Sequence, residues 1–276
     1  MTRTARSGSP GCGRKAVSHL PARIRIAAVA LSATLAMLGA GCHGQDADAD
    51  RPNAARAFPR ADRPVSSPRE LVASAEPARD SRREAQEVMD LARVKPGMTV
   101  ADVGAGKGYY TVRLSARVGT QGRVLAEDID PVVIEQLGTR IQRDRLDNVS
   151  IRLGTPEDPR LPAGSFDRVF LVHMYHEVRE PYAFLWNLRP ALRPDGKVIV
   201  VDADRPTNRH GIPPALLFCE FSSLGFRLTR FVRKSELEGY YAEFEAAGAR
   251  PAPEAISPCR LAAGSRPEAA AGTDVF

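Results

Sequence analysis

Acidic residues are absent from the first 41 positions, which hold Arg3, Arg6, Arg14, Lys15, Arg23 and Arg25. The 276-residue chain has a formal charge of +6, and those six residues account for all of it. Beyond them, 33 basic residues face 33 acidic ones. The charge therefore does not signal a basic domain face, and no nucleic-acid partner is expected. Cysteine is scarce too. Cys12, Cys42, Cys219 and Cys259 form no CxxC pair, which excludes a thiolate metal knuckle. Long apolar runs are missing. The stretch 26–40 is too short and too weakly apolar for a spanning helix. No internal repeat is present.

What the first 41 residues do have is the layout of a secretory signal: a basic region, the apolar stretch, then Leu38-Gly-Ala-Gly-Cys42. Small residues ahead of a cysteine resemble a bacterial lipobox, although Leu38 stands four places before Cys42 rather than three. The resemblance implies a lipid on Cys42 and a cell-envelope location, lipid-anchored or periplasmic. If the segment is not a working signal, the expectation is cytoplasmic. Cys12 falls within the signal. Cys219 and Cys259 either pair in an oxidising compartment, or Cys219 sits as a small buried hydrophobe.

Residues 42–80 are rich in Ala, Asp, Arg and Pro and poor in large apolar side chains. They offer little burial to offset ordering entropy, so a disordered linker is predicted. A domain over 81–250 follows, then a flexible Ala- and Pro-rich tail over 251–276. Within the domain, helices are predicted at 81–92, 107–118, 131–143, 180–192 and 214–224. Strands are predicted at 98–103, 123–128, 148–153, 166–172, 197–202, 226–232 and 240–244. The alternation specifies an α/β fold: a doubly wound, mostly parallel seven-stranded sheet with helices on both faces and one antiparallel member. Ligands of such sheets bind beyond the carboxyl ends of the strands, where Asp102, Asp128, His173 and Asp202 fall.

The first strand runs into Asp102-Val-Gly104-Ala105-Gly106-Lys107-Gly108. Strand, tight glycine turn and helix in that order make a nucleotide-type site. A dinucleotide turn would read G-x-G-x-x-G, but Tyr109 holds the last position, which disfavours an NAD-type oxidoreductase. The pattern D-x-G-x-G-x-G resembles motif I of the class I S-adenosylmethionine-dependent methyltransferases. Three further stretches are similar in order: Asp128 closing strand two, the run 148–167 through strand three and its loop, and the turn and strand 192–202.

The resemblance implies S-adenosylmethionine as cofactor and methyl transfer to a small-molecule acceptor. On it, Asp102, Gly104, Ala105, Gly106 and Gly108 surround the methionyl part. Asp128 takes the ribose hydroxyls, since an ionised carboxylate accepts two strong hydrogen bonds, and Ile129 lies against adenine. Thr155, Pro156 and Glu157 remain candidates for the adenine contact. Asp102 either orders the glycine loop or meets the ammonium through water. Either Asp128 or Asp130 fits the N-cap ahead of Pro131. Lys107 either meets the methionyl carboxylate or points to solvent, the second being favoured.

His173-Met-Tyr-His176-Glu177 follows strand four. His176 is the candidate general base for an oxygen or nitrogen nucleophile, and His173 a cofactor contact. Capping a short helix or lining the pocket is the alternative for both. A metal reading would join His173, His176 and His210, but the spacing is not HExxH, and no metal is expected. Asp204, Arg205 and His210 either contact the acceptor or belong to a surface loop. A lipid-anchored binding protein reusing the fold without catalysis is the alternative to an enzyme.

Overall fold

The computed structural model describes residues 48–66 and 76–260. The expected signal, Cys42 and residues 261–276 lie outside them. The chain divides into two compact units, Met1–Ala49 and Asp50–Phe276, and the fold below is that of the second.

In chain order the elements are α1 (Glu76–Ser81), α2 (Glu84–Leu91), β1 (Thr99–Val103), α3 (Tyr109–Val118), β2 (Arg123–Asp128), α4 (Pro131–Arg143), β3 (Val149–Leu153) and β4 (Phe166–Val172). Then come α5 (Pro181–Leu188), β5 (Leu192–Asp202), α6 (Pro214–Ser223), β6 (Phe226–Lys234) and β7 (Gly239–Ala246). One seven-stranded sheet has the order β3-β2-β1-β4-β5-β7-β6. Its first five strands are parallel, and β7 runs antiparallel between β5 and β6. The order reverses between β1 and β4, so the glycine turn after β1 opens at the switch point.

The sheet is buried on both sides because its central strands are apolar at both parities. Ala101, Val103, Val169, Leu171, Val198 and Val200 face one cluster, with α5 and α6. Val100, Phe170, Ile199 and Val201 face the other, with α2 and α3. Three boundaries differ from the pattern by more than two residues. The expected 81–92 helix starts only at Glu84, after Arg83 in a left-handed conformation separates it from α1. The 180–192 helix ends at Leu188 and closes with a 3-10 turn, Arg189–Ala191. Strand β5 begins at Leu192 rather than 197, because Pro194-Asp-Gly196 is accommodated as a register shift against β4.

The expected disorder over 42–80 is corrected for 50–66 and 76–80. Residues 50–66 form a strap packed on the α5–α6 side. Ala55 and Phe58 are buried in the core, and Phe58 meets Trp186 edge-on at 5.5 Å. Arg51 pairs with Glu180 at 2.6 Å, and Arg63 with Glu220 at 2.7 Å, all four side chains under 10% exposed. Composition undercounts such a segment: two charged residues go inside because each has a partner waiting elsewhere in the chain. The flexible tail is corrected likewise for 251–260. Ile256 and Cys259 join the core, Pro251 accepts a hydrogen bond from Trp186 Nε1 at 2.9 Å, and Cys259 is disulfide-bonded to Cys219. Among the described residues no helix is long and apolar enough to cross a membrane.

Candidate functional site

The glycine turn is built by backbone requirements. Gly104 and Gly108 have φ of 68° and 84°, where a side chain is strained. A Cβ on Gly104 would also lie 2.9 Å from Met174, and one on Gly108 2.6 Å from Leu137. Beneath the turn, Thr111 Oγ1 donates to Asp102 at 2.6 Å. Asp102 is buried, and that burial pushes its carboxyl up to about 6. Of its two readings the geometry favours the first: Asp102 fastens the turn to the first turn of α3. Ala105 donates to the Glu127 carbonyl at 2.8 Å, which holds the turn against β2.

Asp130 is the N-cap of α4, accepting from Val132 N–H at 2.8 Å. Asp128 is thereby spared for the open side. Its two oxygens accept from Gly106 N–H at 3.0 Å and from Asp130 N–H at 3.1 Å. Beside it, Ile129 and Val132 are 50% and 57% exposed, an apolar surface uncovered at the mouth of the turn. Glu127, its other neighbour, points inward. Burial, then the Asp128 charge, pushes its carboxyl up to about 8.

After β3, Thr155 N–H and Oγ1 both bond the Asp158 carbonyl, making a tight turn. Pro156 and Glu157 stand at its tip, and Glu157 Oε2 is buried with no hydrogen-bond partner among the described residues. His173 takes a left-handed conformation and turns its ring to α2, with Nε2 3.3 Å from Glu84. Burial would raise the Glu84 carboxyl, but His173 and Arg79 outweigh it and hold the group down at about 2.

His176 stands apart from His173. It lies in a 3-10 turn, Tyr175–Glu177, and is buried. Its Nδ1 is 3.0 Å from both oxygens of the buried Asp202 at the tip of β5, the geometry of N–H donation to a carboxylate. Nε2 has no hydrogen-bond partner among the described residues and lies 3.8 Å from Glu177 Oε1. Burial pushes Glu177 up to about 7, opposed by His176 and reinforced by Asp202 and Asp128. Asp128 is thus close enough for its charge to be felt across the site. His210 comes in from the loop after β5, its ring centroid 5.8 Å from that of His176. One ligand atom each from His176, Glu177 and His210 can be chosen with all three within 4.8 Å of one another.

The strap reaches this cluster, which the sequence did not foretell. Arg63 donates to the carbonyls of Tyr175 and His176 at 3.4 and 3.2 Å. Ser66 Oγ donates to the Thr207 carbonyl at 2.6 Å and accepts from His210 N–H at 2.8 Å. Asp204 is instead held at the surface by Arg233 at 2.7 Å.

Residues 101–200 match the family described as "Methyltransferase domain". That match spans a little over a third of the chain. Among curated proteins the domain is similar to nocamycin O-methyltransferase of Saccharothrix syringae, 33% identical over 114 residues, or 41% of each chain. It is also similar to the ubiquinone/menaquinone biosynthesis C-methyltransferase UbiE of Hahella chejuensis, 29% identical over 157 residues, which is 56% of this chain and 62% of that one. The chain thus spans well under half the length of the first relative and less than two thirds of the second. Among solved structures, a SAM-dependent methyltransferase from Aquifex aeolicus superposes with a TM-score of 0.53 at 24% identity, over 58% of this chain and 87% of that one. The [4+2]-cyclase SpnF superposes at 0.52 with 16% identity, over 71% and 91%. At these identities the likeness speaks for the fold of the domain.

Proposed function

We propose that the protein is an S-adenosylmethionine-dependent methyltransferase acting on a small-molecule acceptor. The observation that carries this is Asp128: relieved of capping by Asp130, it holds a hydrogen-bonding carboxylate beside a glycine turn and an exposed apolar patch. Those features fit the donor's parts. Asp128 would take the ribose diol, Ile129 the adenine face, the Gly104–Gly108 backbone the methionyl end, and the 155–157 turn the adenine edge. When bound, S-adenosylmethionine supplies an electrophilic methyl group on sulfonium. The chain's own residues then have two tasks. The turn and Asp128 fix the donor's orientation, and alignment with the acceptor contributes most of the rate. His176, kept in one tautomer by Asp202, presents a bare Nε2 on the acceptor side and takes the proton of a hydroxyl or amine.

The O- and C-methyltransferase relatives support a small-molecule acceptor without choosing its atom. The Cys219–Cys259 pair supports an oxidising compartment, in keeping with export and with lipid attachment at Cys42.

Calorimetry of the full chain with S-adenosylhomocysteine tests the donor site. Saturable binding is expected, weakened at least tenfold by Asp128→Ala, and the melting temperature of the variant, read alongside, separates loss of the ribose contact from loss of its two backbone hydrogen bonds. Absence of binding, or binding of NAD in its place, overturns the reading.

A further inference from the structure

We infer that His176, Glu177 and His210 form a binding site for a divalent first-row metal ion on the acceptor side of the domain. Their ligand atoms already lie within 4.8 Å of one another. His176 Nε2, on a side chain 2% exposed, is aimed into the cluster without a hydrogen-bond partner among the described residues, as is Glu177 Oε1. A buried polar atom left unmet needs an occupant to meet it. Two imidazoles and one carboxylate suit Zn2+ or Fe2+ and leave coordination positions open.

The surroundings are those of a metal ligand. A ligating histidine usually donates its other ring N–H to a carboxylate, which fixes the tautomer and raises its basicity. Asp202 does this for His176 Nδ1. The two loops bearing the histidines are also braced from one side, Arg63 on the His176 backbone and Ser66 on that of His210. The trio of His173, His176 and His210, which the sequence raised and set aside, differs from this one. His173 is turned to Glu84, and Glu177 stands in its place.

The consequence for chemistry rests on the methyltransferase reading, whereas metal binding itself does not. An acceptor hydroxyl filling an open position would ionise on the ion, its proton leaving to solvent, because a bound cation depresses the pKa of coordinated oxygen. With the ion bound, His176 serves as a ligand, and its role as base belongs to the ion-free site alone. The class of acceptor narrows to molecules with an ionisable oxygen able to coordinate.

The test is titration of the chelator-treated full chain with Co2+, read by its visible d–d absorption and by competition with Zn2+. One equivalent per chain is expected. His176→Ala, His210→Ala and Glu177→Gln should each weaken binding at least tenfold, and Asp202→Asn by roughly 10- to 100-fold. S-adenosylhomocysteine calorimetry on the same samples reports the donor site separately, so loss of one reading is not mistaken for loss of the other. No saturable Co2+ spectrum, or one unchanged in the variants (which retain His19 and His43), overturns the site. If His176→Ala fails to fold, Glu177→Gln and His210→Ala decide.

Discussion

Two adjacent carboxylates at the end of β2 meet opposite fates. Asp128 faces outward with both oxygens engaged by backbone N–H groups. Glu127 faces inward, is 2% exposed and has Oε1 without a partner among the described residues. The difference is the two-residue period of a strand. Asp128 was picked out because an acid closing the second strand resembles the acid of the methyltransferase pattern. Glu127 was not, because the sequence does not say which of two neighbouring acids the sheet will bury. With its pKa raised to about 8, Glu127 stays protonated in the fold at neutral pH while the unfolded chain ionises near 4.5. The folded state then binds more protons across that window, so this group makes stability fall as pH rises from about 4.5 to about 8. Glu127→Gln should flatten that decline. Denaturation midpoints measured at pH 5 and pH 8 check it, and an undiminished pH slope in the variant would assign the decline to other groups.

At the scale of elements, the parallel strands and the helices between them were legible in kind and order, with the ends of β5, α5 and α2 displaced by three to five residues. A strand buried on both faces reads as an unbroken apolar run, as β1, β4 and the second half of β5 do; β3 is an exposed edge strand, joined to β4 by a loop rather than a helix. The strap 50–66 was not legible, since its anchoring is by pairs whose partners lie over a hundred residues away. Arg63 and Glu220 are the clearest case. Both are buried, and Tyr175 Oη adds a third contact to Glu220 at 2.8 Å. Removing one charge strands the other. Arg63→Met should therefore cost about 3–5 kcal/mol, and much of that should return in Arg63→Met combined with Glu220→Leu. Urea denaturation of the two variants measures it. If the single substitution costs under about 1 kcal/mol, the strap is not held by this pair. The cluster of His176, Glu177 and His210 was half legible for the same reason. His176, Asp202 and His210 each stood at a strand end or in the loop beyond it, but only the sheet order brings β4 and β5 side by side and their tips into contact.

For the whole molecule, the question is where such a domain works. Its donor, on the proposed function, is made in the cytosol, while the basic and apolar N-terminal layout and the cysteine pair argue for export. Cys219 lies on α6 and Cys259 in the C-terminal segment, 40 residues apart, and their bond closes that loop onto the core. By the chain-entropy argument a loop of this length adds about 4 kcal/mol to stability when oxidised. Cys259→Ser should lower stability by that order, and dithiothreitol should lower wild type to the same level. The bond also reports on compartment. Alkylating intact cells with a maleimide before lysis, without and with prior reduction, should label Cys219 and Cys259 only after reduction if the domain sits in an oxidising space. Labelled palmitate should enter the wild type and be lost in Cys42→Ser if the anchor is real. Free thiols at 219 and 259 in untreated cells, with no palmitate on Cys42, would return the protein to the cytosol, where its donor is plentiful and the cysteine pair is simply two small side chains in van der Waals contact.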